Sequence, residues 1–143
     1  MIKTVLGILR HGQTDWNIDF RLQGVTDIPL NETGIAQARD AAAVIDPADW
    51  DLILTSPLSR ARDTAQIVAE VNGLGDALVE TLLLERSFGE AEGLGHEEWK
   101  AKYADTNVVP GGESLSELET RANQLLDKLA IEHAGKRVLA VSH

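Results

Sequence analysis

Two segments at opposite ends of the chain, Lys3–His11 (KTVLGILRH) and Lys136–His143 (KRVLAVSH), are apolar runs that each close on a histidine. Runs this short and this apolar read as strands buried on both faces, which is the habit of a parallel sheet. Asp51 to Thr55 (DLILT) has the same character. Between these runs the apolar spacing becomes helical. Ile35, Ala38, Ala42 and Ile45 share a face from Thr33 until Pro47 stops it, and Ala61, Ala65, Val68 and Val71 do so from Pro57 to Val71, with Gly73 placed for a C-terminal cap. Ser114 and Glu117 have the spacing of a capping box, ahead of a stripe formed by Leu115, Leu118, Ala122, Leu125, Leu126 and Leu129 that runs toward Gly135. Leu78 to Leu84 reads as a further strand, His96 to Ala104 as a short helix, Arg10 to Glu32 as a polar loop, and Pro110 to Gly112 as a turn. Strands alternating with amphipathic helices predict a layered α/β fold, a mostly parallel sheet flanked by helices. With 143 residues, 43% of them hydrophobic, one domain over residues 1–143 has material for a core.

Composition narrows the function. A formal charge of −10 disfavours a nucleic-acid binder, which needs a basic surface to displace counterions from phosphates. No apolar run approaches the roughly 20 residues that span a bilayer. The chain contains no cysteine, so disulfides, thiolate catalysis and cysteine-type zinc sites are excluded, and no histidine pair has metal-ligand spacing on one helix. The expectation is a soluble, cytoplasmic protein with no metal or other cofactor.

In a parallel sheet the two terminal histidines lie at the same carboxyl edge, where open α/β folds place ligands. The first strand delivers Arg10 and His11, the second delivers Ser56 and, one turn into its helix, Arg60, and the last delivers His143. Two arginines and two histidines then form a cationic pocket inside an acidic protein. Bulk charge is screened beyond about 8 Å in physiological salt, so the local set decides what binds. Guanidinium groups donate to two oxygens at once and never lose their charge, which suits a phosphate dianion.

The blocks around these residues resemble the histidine phosphatase superfamily, the phosphoglycerate mutase-like family. They are Leu9 to Thr14 (LRHGQT) with Asn17, Arg21 to Ala38 (RLQGVTDIPLNETGIAQA), Ser56 to Ala65 (SPLSRARDTA), Leu84 to Gly93 (LERSFGEAEG), Pro110 to Ser114 (PGGES) and the closing VSH. They occur in the family's order over nearly the whole chain. The resemblance implies a three-layer fold and a phosphohistidine formed on His11. It implies that Arg10, Arg60 and His143 hold the phosphoryl oxygens, with Glu85 as proton donor to the leaving oxygen. Asn17 becomes a further phosphate contact, and Gln23 and Gly24 become substrate contacts near the pocket mouth. Glu90, Glu92, Arg62, His96 and His133 read as surface residues, and Trp16, Trp50 and Trp99 as packing residues.

The chemistry fits these residue types. Imidazole attacks phosphorus through a neutral nitrogen while its other nitrogen is hydrogen-bonded to fix the tautomer. Gly12 lets phosphate and backbone approach closely. An alkoxide leaves poorly unless protonated, so Glu85 needs a pKa raised by burial, and once ionised it can activate water.

Family members continue past the second histidine with another helix and a further strand, which this sequence lacks. The expectation is a C-terminally incomplete domain from a longer natural protein; were His143 the true end, apolar sheet surface would be left uncovered and a terminal carboxylate would raise the pKa of His143. The leading function is hydrolysis of a small phosphorylated metabolite. The alternatives are a phosphoglycerate mutase, which needs added cations at the mouth such as Lys100, Lys102 or Arg86, and a non-catalytic phosphate-ligand-binding domain.

Overall fold

A computed structural model describes residues 2–143. Its four strands are β1 (Val5–Arg10), β2 (Leu52–Thr55), β3 (Leu78–Val79) and β4 (Arg137–Ser142), hydrogen-bonded in the order β1-β4-β2-β3 with every pairing parallel. The principal helices are α2 (Glu32–Val44), α3 (Ser59–Asn72) and α5 (Leu115–Glu132); α1 (Asp15–Ile18) and α4 (His96–Lys102) are short.

β4 enters last but lies between β1 and β2, so the chain reverses its direction across the sheet before β4. Right-handed crossovers then place the later helix on the opposite face from the earlier ones. The packing follows this rule. Leu139 and Val141 point into a cluster with Ile53, Ala42, Ala61, Ala65 and Val68, where the small residues of α2 and α3 allow close helix approach. Val138 and Ala140 point the other way, against Leu54, Leu83, Leu125 and Leu129. The result is three layers, with α2 and α3 on one side of the sheet and α5 on the other.

Local chemistry sets the element ends. Asn31 Oδ1 accepts from Gly34 N at 2.8 Å to start α2, and Ser114 with Glu117 forms the predicted capping box of α5, a cap that contributes about 1 kcal/mol. Gly73 ends α3 in the left-handed conformation, at φ 64°.

Three expectations change. Leu78 to Leu84 is a strand for two residues only; buried Glu80 then caps a 3₁₀ turn over Thr81–Leu83 and pairs with Lys128 of α5 at 2.8 Å. The loop after β1 contains α1, started by the hydroxyl of Thr14. β1 is an edge strand and is not buried on both faces: Ile8 is 70% exposed and Val5 45%. On that face Ile8 joins Leu82, Leu118, Ala122 and Leu125 around a groove of about 240 Å³ that Glu85, Arg121 and His143 also line. No helix among the described residues is long and apolar enough to cross a membrane.

Candidate active site

The parallel ladders carry their chemistry to one edge. His11 N donates to Ser142 O at 3.0 Å and Ser56 N to Val141 O at 3.0 Å, so the ends of β1, β2 and β4 stay in register up to the functional residues. The rings of His11 and His143 lie 5.1 Å apart, centroid to centroid, at 61°.

His11 is buried, and its Nδ1 lies 2.6 Å from Gly12 O. A carbonyl oxygen can only accept, so Nδ1 carries the hydrogen and Nε2 keeps its lone pair. Burial lowers the His11 pKa to about 4; the Gly12 bond opposes this, and Arg60 and Arg10 add to it. The ring is therefore neutral at pH 7. His143 Nε2 is hydrogen-bonded to Ser56 Oγ at 2.8 Å, and its Nδ1 lies 4.0 Å from Glu85 Oε2. Burial, then the charges of Arg60, His11, Arg10 and Arg121, push its pKa down to about 3. The expected rise at His143 is thus reversed, because desolvation and four neighbouring cationic or ionisable groups all disfavour the imidazolium.

Glu85 follows the 3₁₀ turn. Its Oε1 accepts from Arg86 N at 2.7 Å, and burial raises its pKa against the pull of that bond and of Arg60, Arg121 and Arg10. Arg121 of α5 fixes this segment by donating to Leu82 O at 3.0 Å and Leu84 O at 2.5 Å, while Glu113 grips its other nitrogens at 2.6 and 2.9 Å. Arg121 had no distinguishing mark in the sequence; it is a charged residue at the border of the α5 stripe, part-buried beside Leu118, Ala122 and Leu125.

Arg60 is fully buried. Its two terminal nitrogens donate to Thr26 O and Gly24 O at 2.7 Å each, and its Nε has no partner among the described residues. Burial lowers its pKa, countered by Glu85, Asp27 and Glu92. Arg10 is exposed and, with His11, lines a cavity of about 370 Å³ whose other walls include Gln13, Trp16, Asn17, Phe20, Arg21 and Gln37. Arg60 does not line that cavity. Asn17 does, with Oδ1 accepting from Thr14 N at 2.9 Å.

Gln23 and Gly24 are buried below the mouth. Gln23 Oε1 accepts from the Thr14 hydroxyl at 2.6 Å, and Gly24, at φ 55°, supplies a carbonyl to Arg60. Gly12 has a different close neighbour from the expected phosphate: a Cβ there would fall 2.3 Å from Gly34 O, and one on Gly34 would fall 2.1 Å from Gln13 O. The two glycines let the first turn of α2 press directly on the His11 loop. Thr64 of α3, unremarked in the sequence, accepts from Gly12 N at 3.1 Å and is fully buried. Trp16 and Arg21 stand at the mouth, and Arg21 donates to Gly93 O at 2.7 Å.

Glu90 and His96 are exposed as expected, and His133 forms the C-cap of α5. Glu92 is not a surface charge: it is half-buried, with hydrogen bonds to Val25, Thr26 and Phe88.

Comparison with known proteins places these features. Residues 6–143 match the Histidine phosphatase superfamily (branch 1). An uncharacterized phosphatase, PhoE, of Bacillus subtilis (strain 168) is 42% identical over 98% of this chain and 72% of its own. The 2,3-bisphosphoglycerate-dependent phosphoglycerate mutase 2 of Gloeobacter violaceus is 37% identical over 97% of this chain and 70% of its own. A phosphoserine phosphatase mutant from Entamoeba histolytica, solved in complex with phosphoserine, superposes with a TM-score of 0.84 at 33% identity, covering 99% of this chain and 74% of its own. The strand-end histidines, the buried Arg60 of α3 and the matched sequence agree: this chain belongs to branch 1 of the histidine phosphatase superfamily.

Proposed function

We propose that this chain hydrolyses phosphate monoesters of small metabolites through a phosphohistidine on His11. The observation that carries the reading is the state of that ring: neutral at pH 7, Nδ1–H committed to Gly12 O, Nε2 with no partner among the described residues, with Arg10 on the same cavity wall, Arg60 close enough to act on its charge and the His143 ring 5.1 Å away.

In the first step Nε2 attacks phosphorus and the ester P–O bond breaks. The leaving oxygen takes the proton of Glu85, which burial keeps available above the usual carboxylate range. Arg10, Arg60, His143 and the free amide of Asn17 stabilise the charge spread over the equatorial oxygens. In the second step the Glu85 carboxylate accepts a proton from water, whose oxygen attacks phosphorus. The N–P bond breaks, and inorganic phosphate leaves. Gln23 and Gly24, which the resemblance nominates as substrate contacts, are buried and do not line the cavity; Gln23 holds the Thr14 hydroxyl and Gly24 presents its carbonyl to Arg60.

Hydrolysis is favoured over mutase chemistry because the cations nominated for a second anion are otherwise occupied. Arg86 is buried and donates to Glu113 O at 2.8 Å and Asn107 Oδ1 at 3.0 Å, while Lys100 and Lys102 are exposed on α4 and do not line the cavity. One observation supports the mutase reading: Arg21 stands at the mouth, although Asp19 lies 3.8 Å from it.

The two readings separate in one assay on 3-phosphoglycerate. Hydrolysis predicts release of inorganic phosphate without 2-phosphoglycerate; isomer formation faster than release would overturn it. With a labelled ester quenched in alkali, the wild type is expected to carry label that His11→Ala lacks. Ligand binding with no label and no release would instead favour a binding domain.

A further inference from the structure

Glu92 follows the 3₁₀ turn Gly89–Ala91, and its carboxylate accepts four hydrogen bonds. Oε1 takes Thr26 N at 2.9 Å and the Thr26 hydroxyl at 2.5 Å; Oε2 takes Phe88 N at 3.0 Å and Val25 N at 3.2 Å. Three of the four donors belong to the strap over residues 24–27. Gly24 makes the approach possible, since a Cβ on it would fall 2.2 Å from Glu92 Oε2.

The other side of the same strap faces Arg60. Gly24 O and Thr26 O each accept from its guanidinium at 2.7 Å. The strap's end is tied to the first turn of α3 by Asp27 Oδ1, which accepts from Ser59 N at 2.8 Å and Ser59 Oγ at 2.7 Å. Glu92 and Arg60 thus grip one short piece of backbone from opposite sides. An ionised carboxylate accepts only, so all four donors are satisfied together. A glutamine would turn an N–H₂ group toward two of them.

We propose that Glu92 is a positioning residue that sets the orientation of the Arg60 guanidinium by holding the two carbonyls that clamp it. The inference rests on the phosphoryl-transfer reading of the site. Buried guanidinium groups act on a transition state only from a fixed pose, and a misplacement of about 1 Å can cost on the order of 100-fold in rate.

The test compares wild type, Glu92→Gln, Arg60→Lys and the double variant, with Glu90→Gln as a control that removes the same charge from an exposed neighbour. Turnover of p-nitrophenyl phosphate and affinity for orthovanadate are read on the full chain. Glu92→Gln is expected to lower kcat roughly 10- to 100-fold and to weaken vanadate binding, with KM changed less than about threefold. Glu90→Gln is expected to match the wild type. In the Arg60→Lys background the Glu92 substitution should cost less than about twofold, because the group it orients is gone. A full, additive loss in that background would overturn the proposal, as would wild-type behaviour of Glu92→Gln.

If the wild type neither turns over ester nor binds vanadate, the phosphoryl-transfer reading fails and takes the positioning role with it. An active wild type with an unaltered Glu92→Gln sinks the positioning role alone. Should Glu92→Gln lose cooperative unfolding, Thr26→Val, which deletes only the hydroxyl donor, replaces it. A smaller kcat loss that vanishes beside Arg60→Lys supports the clamp; no loss overturns it.

Discussion

In the proposed mechanism a nucleophile and an acid share this site, and burial shifts both toward their neutral forms. For His11 that means a pKa near 4, so the imidazole is competent well below the ordinary titration of histidine. For Glu85 it means a pKa raised above the ordinary carboxylate range, against the pull of the Arg86 amide and of Arg60, Arg121 and Arg10. The predicted pH profile of kcat/KM has an acid limb near pH 4 and an alkaline limb set by Glu85. Glu85→Gln should erase the alkaline limb. It should cost about 10²- to 10⁴-fold on an alkyl phosphate but far less on p-nitrophenyl phosphate, whose leaving group needs no proton. Equal losses on both substrates would remove Glu85 from the acid role. How much of this was legible varies by residue. His11, Arg10, Ser56 and His143 could be placed from strand ends alone, because a parallel register leaves little freedom. Thr64, Arg121 and Glu92 could not: each acts on backbone far away in sequence, 52 residues from Thr64 to Gly12 and 66 from Glu92 to Thr26, and no local spacing encodes that.

Elements were legible where periodicity was strong, and less so where tertiary packing chose between conformations. The predicted β2, β4, α2, α3 and α5 all form, within a residue or two of their expected bounds. The Leu78–Leu84 run fits a strand and a helix equally in pattern; the turn is held by Glu80 Oε1 accepting from Leu82 N and by Leu83 packing with Leu125 and Leu129. The contact between α2 and the His11 loop was also invisible, since it is backbone on backbone. It yields a prediction against the usual trend. Replacing a helical glycine by alanine ordinarily stabilises by about 0.5–1 kcal/mol. At Gly34 the added Cβ would meet the Gln13 carbonyl, a backbone group that cannot move aside without displacing the His11 loop. Gly34→Ala is expected to destabilise by roughly 1–3 kcal/mol, the range for overpacking, and to reduce phosphate release. A urea midpoint above that of the wild type would show that α2 yields without strain.

At the scale of the molecule, two charge effects oppose each other as pH falls. The net charge of −10 produces self-repulsion that weakens on acidification, which favours the folded state. The histidine pair works the other way. In the unfolded chain both imidazoles titrate near 6.5, whereas in the fold they do so near 4 and near 3. Between pH 6.5 and about 4 the unfolded state therefore binds protons that the folded state refuses, and stability must fall through that window as pH is lowered. Glu85, raised in the fold, offsets part of this just above 4.5, since there the folded state binds the extra proton. Two shifted histidines outweigh one shifted carboxyl. Relative to a His11→Asn/His143→Asn variant, which retains the surface charge, the wild type is predicted to lose stability steadily from pH 7 to pH 5 in urea titrations. Subtracting the variant's curve removes the self-repulsion common to both. Parallel curves would mean that the two rings take up protons in the fold as readily as in water, and a freely protonated His11 could not serve as the neutral nucleophile.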